Sequence, residues 1–299
     1  MTTVEKIYEV WKQRGASRPR AHLGASVIGR SCERWLWYDF RWVQRNDSFA
    51  GDLYRLWDRG KREEPVFAEE LRQAGITFHD VNPETGRQFS FSDWGGHFAG
   101  SMDGAGKGFP EAPEDWHVVE FKTHNAASFR DLVKHGVAHE KPDHVAQMQC
   151  YMGWSGMDSA FYLAVNKNTD ELYAERVAFD EKAFHRLRRK AKSIIFSPEP
   201  PPKLHENPEN WECAYCRYHD LCHGDAPPER NCRTCRHAAP LENGEWGCDK
   251  LNTTRSVADQ WAACPEHALI PELAPAAVAK LARTLKGNIH APSISAAGA

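Results

Sequence analysis

The stretch Trp116-His117-Val118-Val119-Glu120-Phe121-Lys122-Thr123 decides how this chain is read. Its β-branched and aromatic residues favour a strand, and along a strand successive side chains point to opposite faces. Val119 and Phe121 therefore face one way and Glu120 and Lys122 the other, which sets a carboxylate beside an ammonium. Asp103 lies 17 positions before Glu120, room for a strand end, a loop and a returning strand that can bring its carboxylate to the same place. Hard cations such as Mg²⁺ or Mn²⁺ take oxygen ligands, and two carboxylates with a main-chain carbonyl leave positions open for water and a phosphate oxygen. A neighbouring lysine can orient or deprotonate that water and offset charge developing on the phosphate. Taken alone, Asp103-Gly104 is a hairpin-turn signal, and a Glu-x-Lys pair is the ordinary solvated face of a strand.

Working outward, residues 89–123 predict two or three antiparallel strands, and the glycines at 95, 96, 100, 104, 106 and 108 read as turn residues. Helices are predicted over 126–134 and 144–154, followed by strands over 159–166 and 172–177 joined through Asn168. Asp180 is placed as the cap of a further helix with an apolar stripe of Phe184, Leu187, Ala191, Ile194 and Ile195. Upstream, 3–14 reads as an amphipathic helix. Residues 24–42 read as a buried helix with Ser26 as its cap and Trp35, Trp37, Tyr38 and Trp42 as core. Residues 53–74 are helical in pattern but broken at Pro65, and 197–210 reads as a proline-rich linker.

Gly100-Ser101-Met102-Asp103-Gly104, the strand motif, and then Gln147-Met148-Gln149-Cys150-Tyr151 on a helix resemble, in order and spacing, the PD-(D/E)XK nuclease superfamily and specifically its RecB-type exonuclease branch. The resemblance covers about residues 22 to 223. It implies that Asp103, Glu120 and the Phe121 carbonyl bind Mg²⁺ or Mn²⁺, that Lys122 is the catalytic lysine, and that Gln147 and Tyr151 steady the site and the DNA end. Gln147 and Tyr151, four apart, share one helix face. The branch often carries an upstream Gly-x-x-x-His; here Gly60-Lys61-Arg62-Glu63-Glu64 places Glu64 at the histidine position as a candidate metal ligand, with Glu63 its competitor. Cys150 is read as core. On such a nuclease, the basic face formed by Lys182, Arg186, Arg188, Arg189, Lys190 and Lys192 is a candidate phosphate track.

Seven of the nine cysteines fall between residues 213 and 264, a clustering that favours metal ligation over disulfides in a chain without a secretory signal. Cys213-x2-Cys216-x5-Cys222 supplies three thiolates, one short of a cluster or a tetrahedral ion. In the related nucleases with an iron–sulfur staple, and in CRISPR adaptation nucleases, one cysteine precedes the nuclease core and three follow it. By that resemblance Cys32, Cys213, Cys216 and Cys222 hold a 4Fe–4S cluster. Cys232-x2-Cys235-x12-Cys248-x15-Cys264 fits a small zinc knuckle, in which His237 or His267 could replace a cysteine.

At 299 residues the chain has room for about two domains at ~150 residues each, and its 41% hydrophobic content excludes disorder throughout. A net charge of −3 excludes a basic whole-chain nucleic-acid binder. The absence of a long apolar run and of an apolar N-terminal core predicts a cytoplasmic protein with no membrane partner.

The expected fold is α/β, a central mixed β-sheet flanked by helices with an iron–sulfur-stapled helical subdomain and a small C-terminal metal-binding module. The expected divisions are 1–223, 224–272 and a terminal helix with a tail over 273–299, and removal of 230–299 is expected to leave a soluble nuclease core. The expected activity is metal-dependent exonucleolytic hydrolysis of single-stranded DNA or end-containing duplex, in phage or prophage recombination or end processing, beside a recombination or single-strand-annealing protein. The competing readings are a non-catalytic nucleic-acid-binding protein that uses its iron–sulfur and zinc modules, and an iron–sulfur redox protein.

Overall fold

The computed structural model describes residues 1–15, 20–44 and 49–274, so the terminal helix and tail expected over 273–299 lie almost wholly outside the described residues. In chain order the elements are α1 (Thr3–Gly15), β1 (Leu23–Gly24), α2 (Glu33–Phe40), α3 (Gly51–Gln73), β2 (Thr77–His79), β3 (Ser90–Asp93), β4 (Phe98–Ser101), β5 (Gly104–Phe109) and β6 (Ala112–His124). They continue as α4 (Ala126–His135), α5 (Val137–Glu140), α6 (Pro142–Ser155), β7 (Ser159–Asn166), β8 (Leu172–Ala178) and α7 (Glu181–Phe196). After these come α8 (Trp211–Ala214), α9 (His219–Cys222), β9 (Ala238–Pro240), β10 (Trp246–Cys248), β11 (Thr253–Arg255) and α10 (Val257–Gln260).

The central sheet is mixed, in the order β2-β5-β6-β7-β8. Only β6 and β7 pair in parallel, and a parallel pair requires a crossover, which α4, α5 and α6 supply. Every residue of β7 is buried, the pattern of a strand covered on both faces. On one face Val119, Phe121, Phe161, Leu163 and Val165 pack against Phe67, Ala68 and Leu71 of α3. On the other, Val118, Ala160, Tyr162 and Ala164 join the larger core with Met148, Tyr151 and Met152 of α6 and Ile194 and Ile195 of α7.

Several expectations need correction. Residues 24–42 do not form one helix: a 3-10 turn over Ala25–Val27 is followed by a loop, and α2 begins only at Glu33, capped by the Cys32 sulfur, which accepts from Trp35 N at 3.4 Å. The loop passes so close to the start of α6 that a Cβ on Gly29 would lie 2.6 Å from Asp143 Cα, an approach a continuous helix with side chains could not make. Helix α3 runs unbroken through Pro65, which is exposed, as is Lys61, the residue whose carbonyl it leaves without a helical partner. The 89–123 region holds four strands in two sheets, β3 and β4 pairing with each other beside β1 while β5 and β6 enter the central sheet. The crossing between sheets is at Met102-Asp103. The 197–210 segment is no free linker, since the Ser197 carbonyl accepts from Trp37 and Arg41 and the Pro201 carbonyl from Arg34. On the basic face of α7, Arg188 pairs with Asp93 at 2.7 Å, Lys192 with Glu242 at 2.8 Å, and Lys190 donates to the carbonyls of Ile28 and Arg30, while Lys182, Arg186 and Arg189 are exposed.

The cysteine-rich C-terminal part packs into the same core, to which Cys232, Cys235, Ala238, Trp246, Ile270 and Leu273 contribute. Arg233 is buried, with its guanidinium 3.5 Å above the Trp42 ring, and donates to the carbonyls of Phe40 and Ala21 and to the Gln260 side chain. Arg41 reciprocates by donating to the carbonyls of Arg233 and Ala238. Truncation at 230 would therefore strip Phe40, Trp42 and Arg41 of this cover. Arg233→Ala should lower the stability of the whole protein by roughly 3 kcal/mol or more, since buried acceptors lose charged donors worth about 1.5–3 kcal/mol each. Urea unfolding followed by near-UV circular dichroism should show one transition shifted down. A separate early transition with the rest unmoved would mean the C-terminal part is an independent unit.

Candidate active site

Glu120 and Lys122 share the α6 face of β6, while Val119 and Phe121 point into the α3 face, as the alternation requires. Glu120 is 0% exposed and the Lys122 side chain 24%. Lys122 Nζ donates to Glu120 Oε1, and Glu120 Oε2 has no hydrogen-bond partner. Asp103, placed where the chain crosses from one sheet to the other, accepts through Oδ2 from Phe121 N at 2.8 Å. That bond fastens its carboxylate to the middle of the motif strand. The third carboxylate, Glu64, comes from α3, whose Gly60 runs over Thr123. Glu63 pairs instead with Arg59.

The electrostatics follow from this crowding. Burial and the Asp103 charge push Glu120 up to about 7, against the pull of Lys122. Burial also raises Asp103, and burial together with the Asp103 charge raises Glu64. Burial acts to lower Lys122, but the charges of Glu120 and Asp103 outweigh it and hold the ammonium protonated. Buried Glu120, half-buried Asp103 and exposed Glu64 set three carboxylates against one ammonium, with one buried oxygen unpaired. An all-oxygen donor set of that kind fits a hard divalent cation.

Gln147 and Tyr151 lie on the buried face of α6, and Gln147 Nε2 donates to Tyr151 OH at 3.2 Å. Their fit against β4 explains Gly100, which is a strand residue: a Cβ there would lie 2.8 Å from the Tyr151 ring and 2.9 Å from Ala25 Cβ. Gly104 and Gly106 are likewise strand residues against the Phe78 and Phe109 rings, and Gly108, also in β5, takes its positive φ at the register shift between Lys107 and Phe109, so Gly95 and Gly96 are the turn glycines of the set. Beyond Tyr151 opens a cleft of about 650 Å³ whose polar lining is Arg20, His22 and the hydroxyls of Ser26, Ser90, Ser92 and Ser101.

Sequence reasoning missed His124, His144 and Tyr162. Tyr162 OH bridges His124 Nε2 at 2.8 Å and His144 Nδ1 at 3.0 Å, and the chain continues from His124 through Ser128 to Lys141. Burial and the nearby lysines push His124 down to about 4, and burial with the Lys122 charge pushes His144 down to about 3, so both rings are neutral at pH 7. The signal existed for His124, which is two residues beyond Lys122 and so on the same strand face.

Cys32, Cys213, Cys216 and Cys222 border one cavity of about 1,230 Å³. Ser31 Oγ donates to Glu212 Oε1 at 3.0 Å across 181 positions of sequence. Main-chain N–H groups of Trp35 and Tyr218 donate to the sulfurs of Cys32 and Cys216, both at 3.4 Å, a feature that suits ligated thiolates. Cys232, Cys235, Cys248 and Cys264 border a second, small pocket with His237 and His267. Cys232 Sγ is directed at the carbonyls of Asp259 and Ala262. Among the described residues, the one set of three or more His, Cys, Asp or Glu side chains with all ligand atoms within 4.8 Å of one another is elsewhere, at His135, His139 and Glu140. The donor chemistry of the second cysteine group suits zinc, although its thiols stand wider apart than that.

The profile of the PD-(D/E)XK nuclease superfamily matches residues 2–223, and the chain belongs to that superfamily. Among solved structures it is similar to an alkaline exonuclease, LHK-Exo, from Laribacter hongkongensis, at 16% identity and TM-score 0.40 over 62% of this chain and 90% of that one. The complex of LHK-Exo with dAMP gives the same identity and coverages with TM-score 0.41. The structure of SSO0001 gives 14% identity and TM-score 0.44 over 72% of this chain and 94% of that one. No curated protein sequence matches.

The raised pKa of Glu120 has a definite sign in stability. A carboxyl shifted from 4.5 to about 7 on folding favours the folded metal-free protein fully below pH 4.5, and that contribution is lost as pH rises through 7. Glu120→Gln cannot ionise, so metal-free Glu120→Gln protein should be the more stable of the two at pH 8, with a flatter stability curve between pH 5 and 8, read by denaturant unfolding in EDTA. Superimposable curves for the two proteins would contradict the described burial.

Proposed function

We propose that this chain is a Mg²⁺- or Mn²⁺-dependent deoxyribonuclease of the RecB type that hydrolyses phosphodiester bonds from a DNA end. The observation that carries the reading is the buried, partly unpaired carboxylate of Glu120 joined to Lys122 on β6, with the Asp103 carboxylate fastened to the same strand through Phe121 N. Asp103, Glu120 and the Phe121 carbonyl would hold the cation, with Glu64 as the further ligand from α3. Bound there, it would supply Lewis-acid activation of a water and neutralise charge on the phosphodiester. Lys122, kept cationic by its neighbours, offers an ammonium to the charge that builds on phosphorus oxygens. Gln147 and Tyr151 steady the opposite wall, and the serine-rich cleft beside Tyr151 is of a size to receive a nucleotide at a single-stranded or frayed end.

Cys32, Cys213, Cys216 and Cys222 are proposed as ligands of a 4Fe–4S cluster that closes the 1–223 nuclease unit. Cys232, Cys235, Cys248 and Cys264 are proposed as zinc ligands in the 224–272 segment, as an integral flank of that unit. A cytoplasmic protein in phage or prophage recombination or DNA end processing, working beside a recombination or single-strand-annealing protein, is the setting this activity suits. Among the described residues no helix is long and apolar enough to cross a membrane.

Digestion of end-labelled single- and double-stranded DNA with Mg²⁺ or Mn²⁺ tests the activity. Asp103→Ala, Glu120→Ala and Lys122→Ala should each lose at least ~10²-fold in rate while the protein stays folded, the scale of removing a transition-state stabiliser. A Lys122→Ala protein with unchanged activity would sink the assignment.

The cluster is tested by colour, because thiolate-bound iron absorbs in the visible and zinc does not. Anaerobically purified protein should be brown, and Cys32→Ala should bleach it. Full iron content in Cys32→Ala alongside loss in Cys216→Ala would show that Cys32 is ordinary core.

A further inference from the structure

Helix α4 ends at His135, and Gly136 then takes a φ of +80°, a left-handed backbone that a residue with a Cβ adopts only under strain. Helix α5 restarts at once and brings His139 and Glu140 back beside His135. The turn is ordered: Leu132 and Val137 are buried on its inner side, and Val137 N donates to Glu175 Oε2 at 2.7 Å. The three side chains are therefore presented by a braced backbone.

His135 Nδ1 lies 2.8 Å and His139 Nδ1 2.9 Å from the same oxygen, Glu140 Oε1. One side of the group is open to water, with side-chain exposures of 37%, 72% and 21%. Hydrogen bonds from His139 and His135 hold the Glu140 carboxyl below its usual range, so an anionic oxygen faces the two rings. Two imidazole nitrogens and one carboxylate oxygen, with a further position open to water, match the donor set of a borderline divalent ion. Opening the nitrogen–oxygen separations by a few tenths of an ångström admits an ion at the usual ~2.0–2.2 Å ligand distances. The interaction displaced is an exposed pair that contributes little to stability, so little opposes the exchange.

We propose that His135, His139 and Glu140 form a surface site for a borderline transition cation such as Zn²⁺, Ni²⁺ or Co²⁺, separate from the carboxylate centre and from both cysteine groups. The site does not depend on the nuclease reading.

Tag-free full-length protein, as purified and with Mg²⁺ present to fill the carboxylate centre, is titrated with Ni²⁺ by calorimetry. The wild type should bind one more Ni²⁺ than the His135→Ala/His139→Ala double variant, and His139→Ala alone should weaken that site at least ~10-fold. Equal stoichiometry and affinity in the wild type and the double variant, or no Ni²⁺ bound by the wild type, would overturn the proposal. Should the double variant fail to fold, His139→Gln at the most exposed of the three positions decides the matter by the same loss or retention of affinity.

Discussion

Glu120 carries a carboxylate into the middle of the central sheet with no exposure to water, and much of the nuclease unit is arranged around keeping it there. A buried charge is tolerated only when it is paired or compensated. Lys122 compensates from two residues along the same strand, and Asp103 adds a second carboxylate whose position is set by the Phe121 N–H. The compensation is incomplete, since one oxygen of Glu120 has no partner. The fold thus maintains a local excess of negative charge that a cation would relieve, and maintains it by packing rather than by solvent.

That packing comes from both ends of the chain. Strand β6 is sandwiched between α3, which brings Glu64, and α6, which brings Gln147 and Tyr151. The crossover that makes β6 and β7 parallel is the same segment that supplies α6, so topology and wall construction are one requirement. Gly100 lets β4 approach Tyr151 closely enough for the wall to close. Arg41 and Arg233 exchange donors to main-chain carbonyls between the end of α2 and the cysteine-rich segment. The two cysteine-bearing ends of the nuclease unit meet in one cavity. The long loop between them is closed in the native state, and a shared ligand there would restrict the unfolded chain.

The alternation of residues 116–123 was legible because strand geometry is local: period two puts Glu120 and Lys122 together whatever the rest of the chain does. The four-residue step from Gln147 to Tyr151 was legible for the same reason on a helix. The order of motifs placed the chain among nucleases before any contact was known. Helix boundaries near residues 24–42 and at Pro65 were misread, because a close approach by α6 and the exposure of one proline decided them.

What the sequence by itself determined was the set of groups able to do the chemistry and the local faces they occupy, since covalent spacing and backbone period act over a few residues. Tertiary structure alone decided that Asp103 stands at the switch between two sheets and that Tyr162 links His124 to His144. It also decided that the cysteine-rich segment is part of the core and not an appendage. Each of these depends on burial and on contacts between residues far apart in the chain, and burial is what converts a list of ionisable residues into shifted, mutually dependent charges.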